Sequence, residues 1–294
     1  MGLGSDVAIS VRGPAALTGI VGLKATHGRI PYTGHFPRFL SRYWHIGPMA
    51  RSVRDVAAMY ELLKGPDGVD PYAIYARDAG PANAPVAGKP IRVGYMARRG
   101  FGPVDPEVAD AVEDAARLLA RMGHHVEEAS IVTLEGNDFV GIGVTLTSAE
   151  MLPEFRKMVA GREEELFFVA ARIAKMPDPH LKDYMSALAL VQQLRSDFVQ
   201  YFERHDVLLC PVIPFTAPPH RLQEYVVNGQ KIASTQIKRA TVPFNLTGLP
   251  ALSVPFRMST ERLPINVQVV SRWLDEATAL RLGALIESAN SMWD

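Results

Sequence analysis

The feature that most constrains the fold is a strand, a helix and a second strand that follow one another in the chain. Residues 91–95 are short and largely apolar, as in a buried strand. Asp105 and Pro106 then open a helix, and Gly123 ends it. Residues 124–128 are typical of the next strand. Since a helix between two strands joins them in parallel, the pattern predicts the α/β fold class. The apolar face of the predicted helix consists of Val108, Val112, Ala115, Leu119 and Met122.

Other segments fit the same class. We predict helices at residues 14–21, 52–63, 181–202 and 275–288, and strands at residues 206–211, 250–255 and 265–270, with the last two strands paired. Ser52 is placed to cap the second of these helices, because Asp55 follows three residues later. Three segments, at residues 66–90, 131–180 and 214–235, show little regular periodicity and are predicted as a surface excursion, an irregular region and a long loop.

Charge and hydropathy exclude several classes of protein. Lys plus Arg and Asp plus Glu each number 31, so the net charge is zero. A neutral chain gives no reason to expect nucleic acid or an anionic membrane as a partner. No apolar run reaches the roughly 20 residues that a membrane-spanning helix needs. The N-terminal residues also lack the pattern of a secretory signal.

The cysteine and histidine content favours a reducing compartment and no metal. Cys210 is the only cysteine among the 294 residues, so no disulfide can form within the chain. Its neighbours at residues 207–209 are apolar and predict a buried thiol, which is typical of a cytoplasmic protein. His124 and His125 would point to opposite faces of a strand and are poor partners in a metal site. The sequence predicts neither a metal site nor a cofactor.

Residues 4–15 are the strongest candidate for chemistry. They read Gly-Ser-Asp-Val-Ala-Ile-Ser-Val-Arg-Gly-Pro-Ala and run into an apolar segment. Backbone N–H groups at the start of a helix can stabilise an oxyanion close to Ser10. Asp6 and Arg12 flank Ser10 and are predicted to pair, which would fix the shape of the loop. On local chemistry alone, a plain helix N-cap is the commoner role for a serine in this place.

The stretch resembles the core of the amidase signature family, whose usual wording is Gly-(Ser/Thr)-Asp-x-Gly-Gly-Ser-Ile-Arg-x-Pro-Ala. Further blocks follow in the family's order and extend over nearly the whole chain. They are Gly-Ile-Val-Gly-Leu-Lys-Ala-Thr-His-Gly-Arg at residues 19–29, Gly-Pro-Met-Ala-Arg-Ser-Val-Arg-Asp at residues 47–55, and the blocks at residues 241–255 and 263–268. The chain is identified as a member of this family.

The resemblance implies a fold, a reaction and a set of site residues. The fold would be one domain over residues 1–294, the C-terminal part of an amidase, with a large mixed sheet flanked by helices on both sides. The substrate would be a small-molecule amide, cleaved through a serine acyl-enzyme with loss of ammonia or an amine. The implied site consists of the nucleophile Ser10, an oxyanion hole formed by the N–H groups of Val7, Ala8, Ile9 and Ser10, and the supporting residues Ser5, Asp6 and Arg12.

The chain departs from the family pattern in two respects. In the family, the catalytic lysine and a bridging serine lie upstream of this block, ahead of Met1 here. Lys24 has its own place in another block and is not taken as the base. We therefore expect an N-terminally truncated amidase fold that hydrolyses amides poorly or not at all, and that self-associates, as in a homo-oligomer. In addition, Ala8 and Ile9 replace paired glycines, which changes the backbone freedom available to the oxyanion hole.

Two other functions use the same core. One is the amidase subunit of a tRNA-dependent amidotransferase, which releases ammonia from glutamine. The other is a catalytically inactive remnant that keeps the fold. The aromatic segment at residues 36–45 is likewise open to two interpretations, a loop packed on the body or a wall beside an acyl pocket. Its aromatic residues are Phe36, Phe39, Tyr43 and Trp44.

Overall fold

The computed structural model of the chain describes residues 1–36, 42–76, 90–220, 222 and 224–289. Its strands are β1 (Gly2–Asp6), β2 (Val21–Lys24), β3 (His45–Ala50), β4 (Arg92–Tyr95), β5 (His125–Glu128), β6 (Val207–Pro211), β7 (Glu224–Val227), β8 (Gln230–Ala233), β9 (Ala251–Met258) and β10 (Pro264–Ser271). Within the described ranges, eight strands form one mixed sheet in the order β1-β3-β2-β9-β10-β6-β4-β5. The other two strands, β7 and β8, form a separate antiparallel hairpin.

The helices are α1 (Arg12–Thr18), α2 (Val53–Leu63), α3 (Pro106–Arg121), α4 (Val132–Gly136), α5 (Phe139–Val159), α6 (Phe168–Ala174), α7 (Leu181–Arg204), α8 (Val242–Thr247) and α9 (Glu276–Ser288). Short 3-10 turns occupy Glu163–Glu165 and Ser234–Lys238. In the described part of the chain, no helix combines the length and the apolar character that crossing a membrane requires.

The strand–helix–strand unit predicted from the sequence is confirmed. Strands β4 and β5 are parallel neighbours with Val93 opposite Val126, and α3 connects them. The Asp105 carboxylate accepts a bond from the Glu107 N–H at 2.9 Å, and Pro106 occupies the first turn of the helix. Strand β6 adds to the other side of β4 in parallel. The predicted fold class, α/β with a large mixed sheet, is therefore confirmed.

Several local predictions are also confirmed. Ser52 caps α2, because its Oγ accepts a bond from the Asp55 N–H at 3.1 Å. Strands β9 and β10 form the predicted antiparallel pair. Strand β6 and helices α7 and α9 fall where the sequence placed them. These elements have regular apolar spacing and clear signals at their ends, so they can be predicted from sequence alone.

Three local predictions are wrong. The first helix begins at Arg12, two residues before the prediction, and Gly19 at φ 67° ends it. Residues 139–159, predicted as irregular, form a 21-residue helix whose apolar residues and internal Pro153 obscure its period. The loop predicted over residues 214–235 contains the β7–β8 hairpin. Its turn is Asn228-Gly229 with φ values of 47° and 73°, the pair that a tight hairpin favours.

Helices cover both faces of the sheet. On one face, Gly283 of α9 lies so close to the sheet that a Cβ there would sit 2.4 Å from Leu252. On the other face, Arg12 of α1 bonds to Gln268, which is paired with Ser253 across β9 and β10. Because neighbouring residues of a strand point to opposite faces, α1 and α9 lie on opposite sides. The sheet is thus buried at its centre, and Arg12 and Lys24 are among the largest fully buried side chains.

Candidate active site

The predicted site residues lie on the loop between β1 and α1. Asp6 is the last residue of β1, and Arg12 is the first residue of α1. Between them, residues 7–9 are half-buried and Ser10 is exposed. The Ser10 hydroxyl is therefore reachable from solvent, on a loop whose two ends are buried.

The ion pair predicted between Asp6 and Arg12 is present. Arg12 Nε lies 3.2 Å from Asp6 Oδ2, and neither side chain has any exposed surface. Arg12 Nη2 donates a second bond to Asp6 Oδ1 at 3.3 Å. Asp6 Oδ2 also accepts a bond from the Val11 N–H at 3.2 Å. The bidentate pair ties the end of β1 to the start of α1 and fixes both ends of the loop that carries Ser10.

Two partners of this pair were not predicted from the sequence. Asn245 on α8 donates from Nδ2 to the main-chain oxygen and to Oδ1 of Asp6, both at 3.0 Å. The Asn245 Oδ1 accepts a bond from Arg12. Gln268 on β10 accepts from Arg12 Nη1 at 3.0 Å. Both residues lie inside the sequence blocks that resemble the family. Each is a polar residue within an apolar run, and this is the feature that could have marked them as part of the site.

Charge and hydrogen bonding keep Asp6 ionised. Burial by itself would raise the pKa of this carboxyl, but the charge of Arg12 and the bonds from Arg12 and Asn245 hold it below its ordinary value. The Asp6 carboxylate therefore remains charged at neutral pH. The contribution of its pair with Arg12 to the site is fixed geometry.

Two more basic side chains are buried close to Asp6. Lys24 on β2 is fully buried, and its Nζ donates to the Ala25 carbonyl at 3.1 Å. His45 at the start of β3 is 4% exposed, with Nδ1 3.3 Å from the Asp6 main-chain oxygen. Burial, and then the charge of Arg12, lowers the pKa of Lys24 well below its ordinary value. Burial, and then the charge of Lys24, lowers the pKa of His45 well below its ordinary value. Among the described residues, His45 Nε2 has no hydrogen-bond partner.

The loop offers backbone donors for an oxyanion. The Val11 N–H is taken by Asp6, and the Gly13 N–H donates to the Ile9 carbonyl at 2.7 Å. In the part of the chain that the structure describes, the N–H groups of residues 7–10 donate to no acceptor. Unpaired amides beside an exposed hydroxyl are the kind of donor that stabilises a developing oxyanion.

Ile9 is accommodated by a neighbouring glycine. A Cβ at Gly13 would lie 2.4 Å from Ile9 Cγ1, so the bare glycine gives the isoleucine side chain its space. Ile9 also packs against the buried residues Ala16 and Val212. The residue that replaces a family glycine therefore anchors this loop to a small apolar cluster.

Ser5 has a partner outside the Asp6–Arg12 pair. Its Oγ lies 2.7 Å from Nε2 of His35, which belongs to the loop after β2. The sequence predicted Ser5 as a supporting residue, without a specific partner. The structure therefore brings Asp6 and Arg12 together but joins Ser5 to a histidine that the sequence had not singled out.

The described aromatic residues of the segment at residues 36–45 have different surroundings in the structure. Phe36 is 80% exposed, whereas Tyr43 is 2% exposed and belongs to the core. The ring of Trp44 meets the ring of His35 edge-on, with centroids 5.1 Å apart. Phe39 lies outside the described residues. Tyr43 thus fits the packed-loop interpretation, and Trp44 forms an aromatic surface near Ser5.

A cavity of about 840 Å³ lies elsewhere in the fold, between α7 and the turn after β10. Its lining combines aromatic and aliphatic side chains with three arginines and one glutamate, and none of these residues belongs to the loop of Ser10. They are Arg92, Arg195, Phe198, Val199, Phe202, Glu203, Thr247, Leu249, Arg272 and Trp273. Within the described ranges, no three His, Cys, Asp or Glu side chains are grouped closely enough to hold a metal ion.

Comparison with known proteins gives consistent matches. A family model described as Amidase matches residues 1–280. The A-type subunit of the glutamyl-tRNA(Gln) amidotransferase of Koribacter versatilis is 31% identical to the chain, over 98% of the chain and 64% of that protein. The chain spans about 62–64% of the length of the curated relatives it matches.

Solved structures agree. The 6-aminohexanoate cyclic dimer hydrolase complexed with substrate superposes with a TM-score of 0.82 at 27% identity, over 98% of this chain and 64% of that one. A vestigial protein complex connected with the origins of an s-triazine catabolic enzyme gives a TM-score of 0.84 at 25% identity, over 98% of this chain and 62% of that one.

Proposed function

Because this chain belongs to the Amidase family, we propose that it hydrolyses a carboxylic amide through an acyl-enzyme formed on Ser10. The observation that carries the proposal is the geometry of one loop. An exposed serine lies beside the unpaired N–H groups of residues 7–10, and a buried ion pair holds both ends of the loop. A reachable nucleophile next to fixed donors is what acyl transfer requires.

In the proposed reaction, the Ser10 hydroxyl attacks the amide carbon, and its proton is transferred to the nitrogen that leaves as the amine. The N–H groups of residues 7–10 receive the negative charge that develops on the carbonyl oxygen. The C–N bond then breaks, the amine leaves with a proton, and water hydrolyses the acyl-enzyme. Lys24 is not the base in this proposal, since it is fully buried and its Nζ is bonded to the Ala25 carbonyl.

Covalent labelling tests this proposal. A fluorophosphonate probe is expected to modify Ser10, and tandem mass spectrometry of the N-terminal tryptic peptide separates Ser10 from Ser5. Ser10→Ala should abolish the adduct and any release of aniline from aryl amides. Ser288→Ala, an exposed serine at the end of α9, is the matched control and should change neither. Release of aniline by Ser10→Ala at the wild-type rate would contradict the proposal.

A second candidate function follows from the relatives. Since curated relatives are named as A-type subunits of glutamyl-tRNA(Gln) amidotransferase, the same Ser10 chemistry would release ammonia from glutamine. Ammonia release from glutamine above that from aryl amides would favour this alternative. Labelling of Ser10 without turnover of either substrate would favour an inactive remnant.

We also propose a context for the protein. An amidotransferase subunit and a vestigial complex among the similar proteins support assembly with itself or with other chains. A cytoplasmic location is supported by the buried Cys210 thiol, whose pKa burial raises to about 12. Such a thiol is suited to a reducing compartment. The proposed amidase domain extends over residues 1–294.

A further inference from the structure

Three side chains form a hydrogen-bonded relay beside β1. Ser5 Oγ is 2.7 Å from His35 Nε2, and His35 Nδ1 is 2.5 Å from the Tyr32 hydroxyl. We propose that this relay is a second nucleophilic site, in which Ser5 accepts the acyl group of a small activated aryl ester and His35 is its base. Ser5 also belongs to the site that the resemblance implies around Ser10, but the relay does not require attack by Ser10.

The geometry has the parts that serine activation needs. A nucleophile and its base must lie within about 2.6–3.2 Å, and a third group must orient the base. The Ser5–His35 distance meets the first condition, and the Tyr32 hydroxyl on the other ring nitrogen meets the second. The sequence places these groups on two elements, since Ser5 is on β1 and both partners are on the loop after β2.

The imidazole is held on more than one side. The ring of Tyr32 stacks on that of His35 with centroids 4.2 Å apart, and Trp44 meets it edge-on. Tyr32 is itself fixed, because its N–H donates to Asp70 Oδ2 at 2.7 Å. A base whose ring is packed in this way keeps its direction toward the hydroxyl and does not have to be ordered anew at each reaction.

The relay requires one histidine tautomer. With the proton on Nδ1, His35 donates to the Tyr32 oxygen and leaves the Nε2 lone pair facing the Ser5 hydroxyl. Burial raises the pKa of the Tyr32 phenol, so the group remains neutral and does not compete as an anion. His35 Nε2 can then accept the Ser5 proton, as the base of a serine nucleophile does.

The reaction is balanced within these groups. Ser5 Oγ forms a bond to the ester carbon while its proton moves to His35 Nε2. The ester C–O bond then breaks, and the phenolate oxygen takes that proton. Water then attacks the acyl carbon and gives a proton to His35 Nε2. The imidazole passes a proton to Ser5 Oγ as the acid is released. Because β1 is the first strand of the sheet, alternate N–H groups along it face away from β3 and can receive the charge on the carbonyl oxygen.

The surroundings select the substrate class. Ser5 and His35 are half-buried, so the site is a shallow surface and not an enclosed chamber. Tyr32 and Trp44 place aromatic faces beside the base, which favours a flat aryl leaving group. A phenolate also leaves readily, so the reaction makes a small demand on oxyanion stabilisation.

The test uses p-nitrophenyl acetate with the full chain. Ser5→Ala and His35→Gln are each expected to lower the rate of p-nitrophenol release by about 10²-fold. His220→Gln, an exposed histidine, is the control for hydrolysis by surface imidazoles and should retain the wild-type rate.

A second measurement needs no variant. The wild-type chain is mixed with ester, quenched in acid and digested, and the acetyl group is located by tandem mass spectrometry. An acetyl group on Ser5 supports the inference. An acetyl group only on Ser10 or on lysines, or a His35→Gln rate equal to that of wild type, overturns it. Failure of aryl amide hydrolysis leaves these readouts unaffected, so the two proposals are tested separately.

Discussion

Arg12 and Asp6 face each other with no exposed surface on either side chain and 3.2 Å between Nε and Oδ2. Each of these buried charges is tolerated only while its partner is present, since removing one partner leaves an uncompensated buried charge. We expect Arg12→Gln to lower the free energy of unfolding by about 3–5 kcal/mol, measured by urea denaturation. The control is Arg98→Gln, because Arg98 pairs with Asp110 at the surface with side chains 52% and 49% exposed. Its cost should stay below about 1 kcal/mol, and equal costs for the two variants would show that burial does not make the Asp6–Arg12 pair more important.

The buried His45 makes stability depend on pH. Since its folded pKa lies well below the ordinary 6.5, the unfolded chain binds the proton first as pH falls. The unfolded state is then favoured, and stability decreases by up to about 1.4 kcal/mol per pH unit below that value. Urea denaturation at pH 7.5 and 5.5 should reveal this loss, and His45→Gln should remove most of it.

His124 provides the control for this measurement. Burial also lowers its pKa, but it is only half-buried, and its Nδ1 accepts a bond from the Ile91 N–H. His124→Gln should therefore keep most of the pH dependence. A wild-type chain equally stable at both pH values would contradict a lowered pKa of His45 in the folded state.

Gly47 on β3 is needed because the backbone approaches it closely. A Cβ there would lie 2.2 Å from the Leu23 carbonyl oxygen, on the neighbouring strand β2. Gly47→Ala should cost roughly 1–3 kcal/mol of stability, since the strands would have to separate. Gly2→Ala, with nothing within 4 Å of the added atom, should stay within about 0.5 kcal/mol. Thermal denaturation of both variants decides the point.

Ile9 restricts the backbone of the loop and adds an apolar contact. Ile9→Gly should lower the free energy of unfolding by about 1–3 kcal/mol, because an apolar contact is lost and the unfolded chain gains freedom. We expect the same change to speed fluorophosphonate labelling of Ser10, since the loop can then adopt positive φ. Leu17→Ala, in the same apolar cluster, should cost similar stability without faster labelling. Slower labelling of Ile9→Gly would contradict this interpretation.

Local signals were sufficient for part of the fold. The β4–α3–β5 unit and the cap at Ser52 depend on residues close together in the chain, and the sequence predicted both. Strands β1 and β3 were not predicted, because they contain glycine and proline that suggest turns. Those residues are in strands for a tertiary reason, which for Gly47 is the close approach of the Leu23 carbonyl.

The residues of the site also fall into two groups, those that the sequence could predict and those that it could not. Ser10, Asp6 and Arg12 share one short stretch, so their pairing could be predicted. Asn245 and Gln268 reach the pair from 239 and 256 positions away, and no local pattern encodes such a contact. The Ser5–His35 bond joins residues 30 positions apart and was equally out of reach.

The distance in sequence between Arg12 and Gln268 has a consequence for synthesis. The loop of Ser10 is synthesised before β10, yet Arg12 can bond to Gln268 only after β10 has emerged from the ribosome. Until then the guanidinium stays hydrated and the serine has no fixed surroundings. Contacts of such long range also form slowly, so this loop lacks the full set of bonds that fixes Arg12 until β10 has been synthesised.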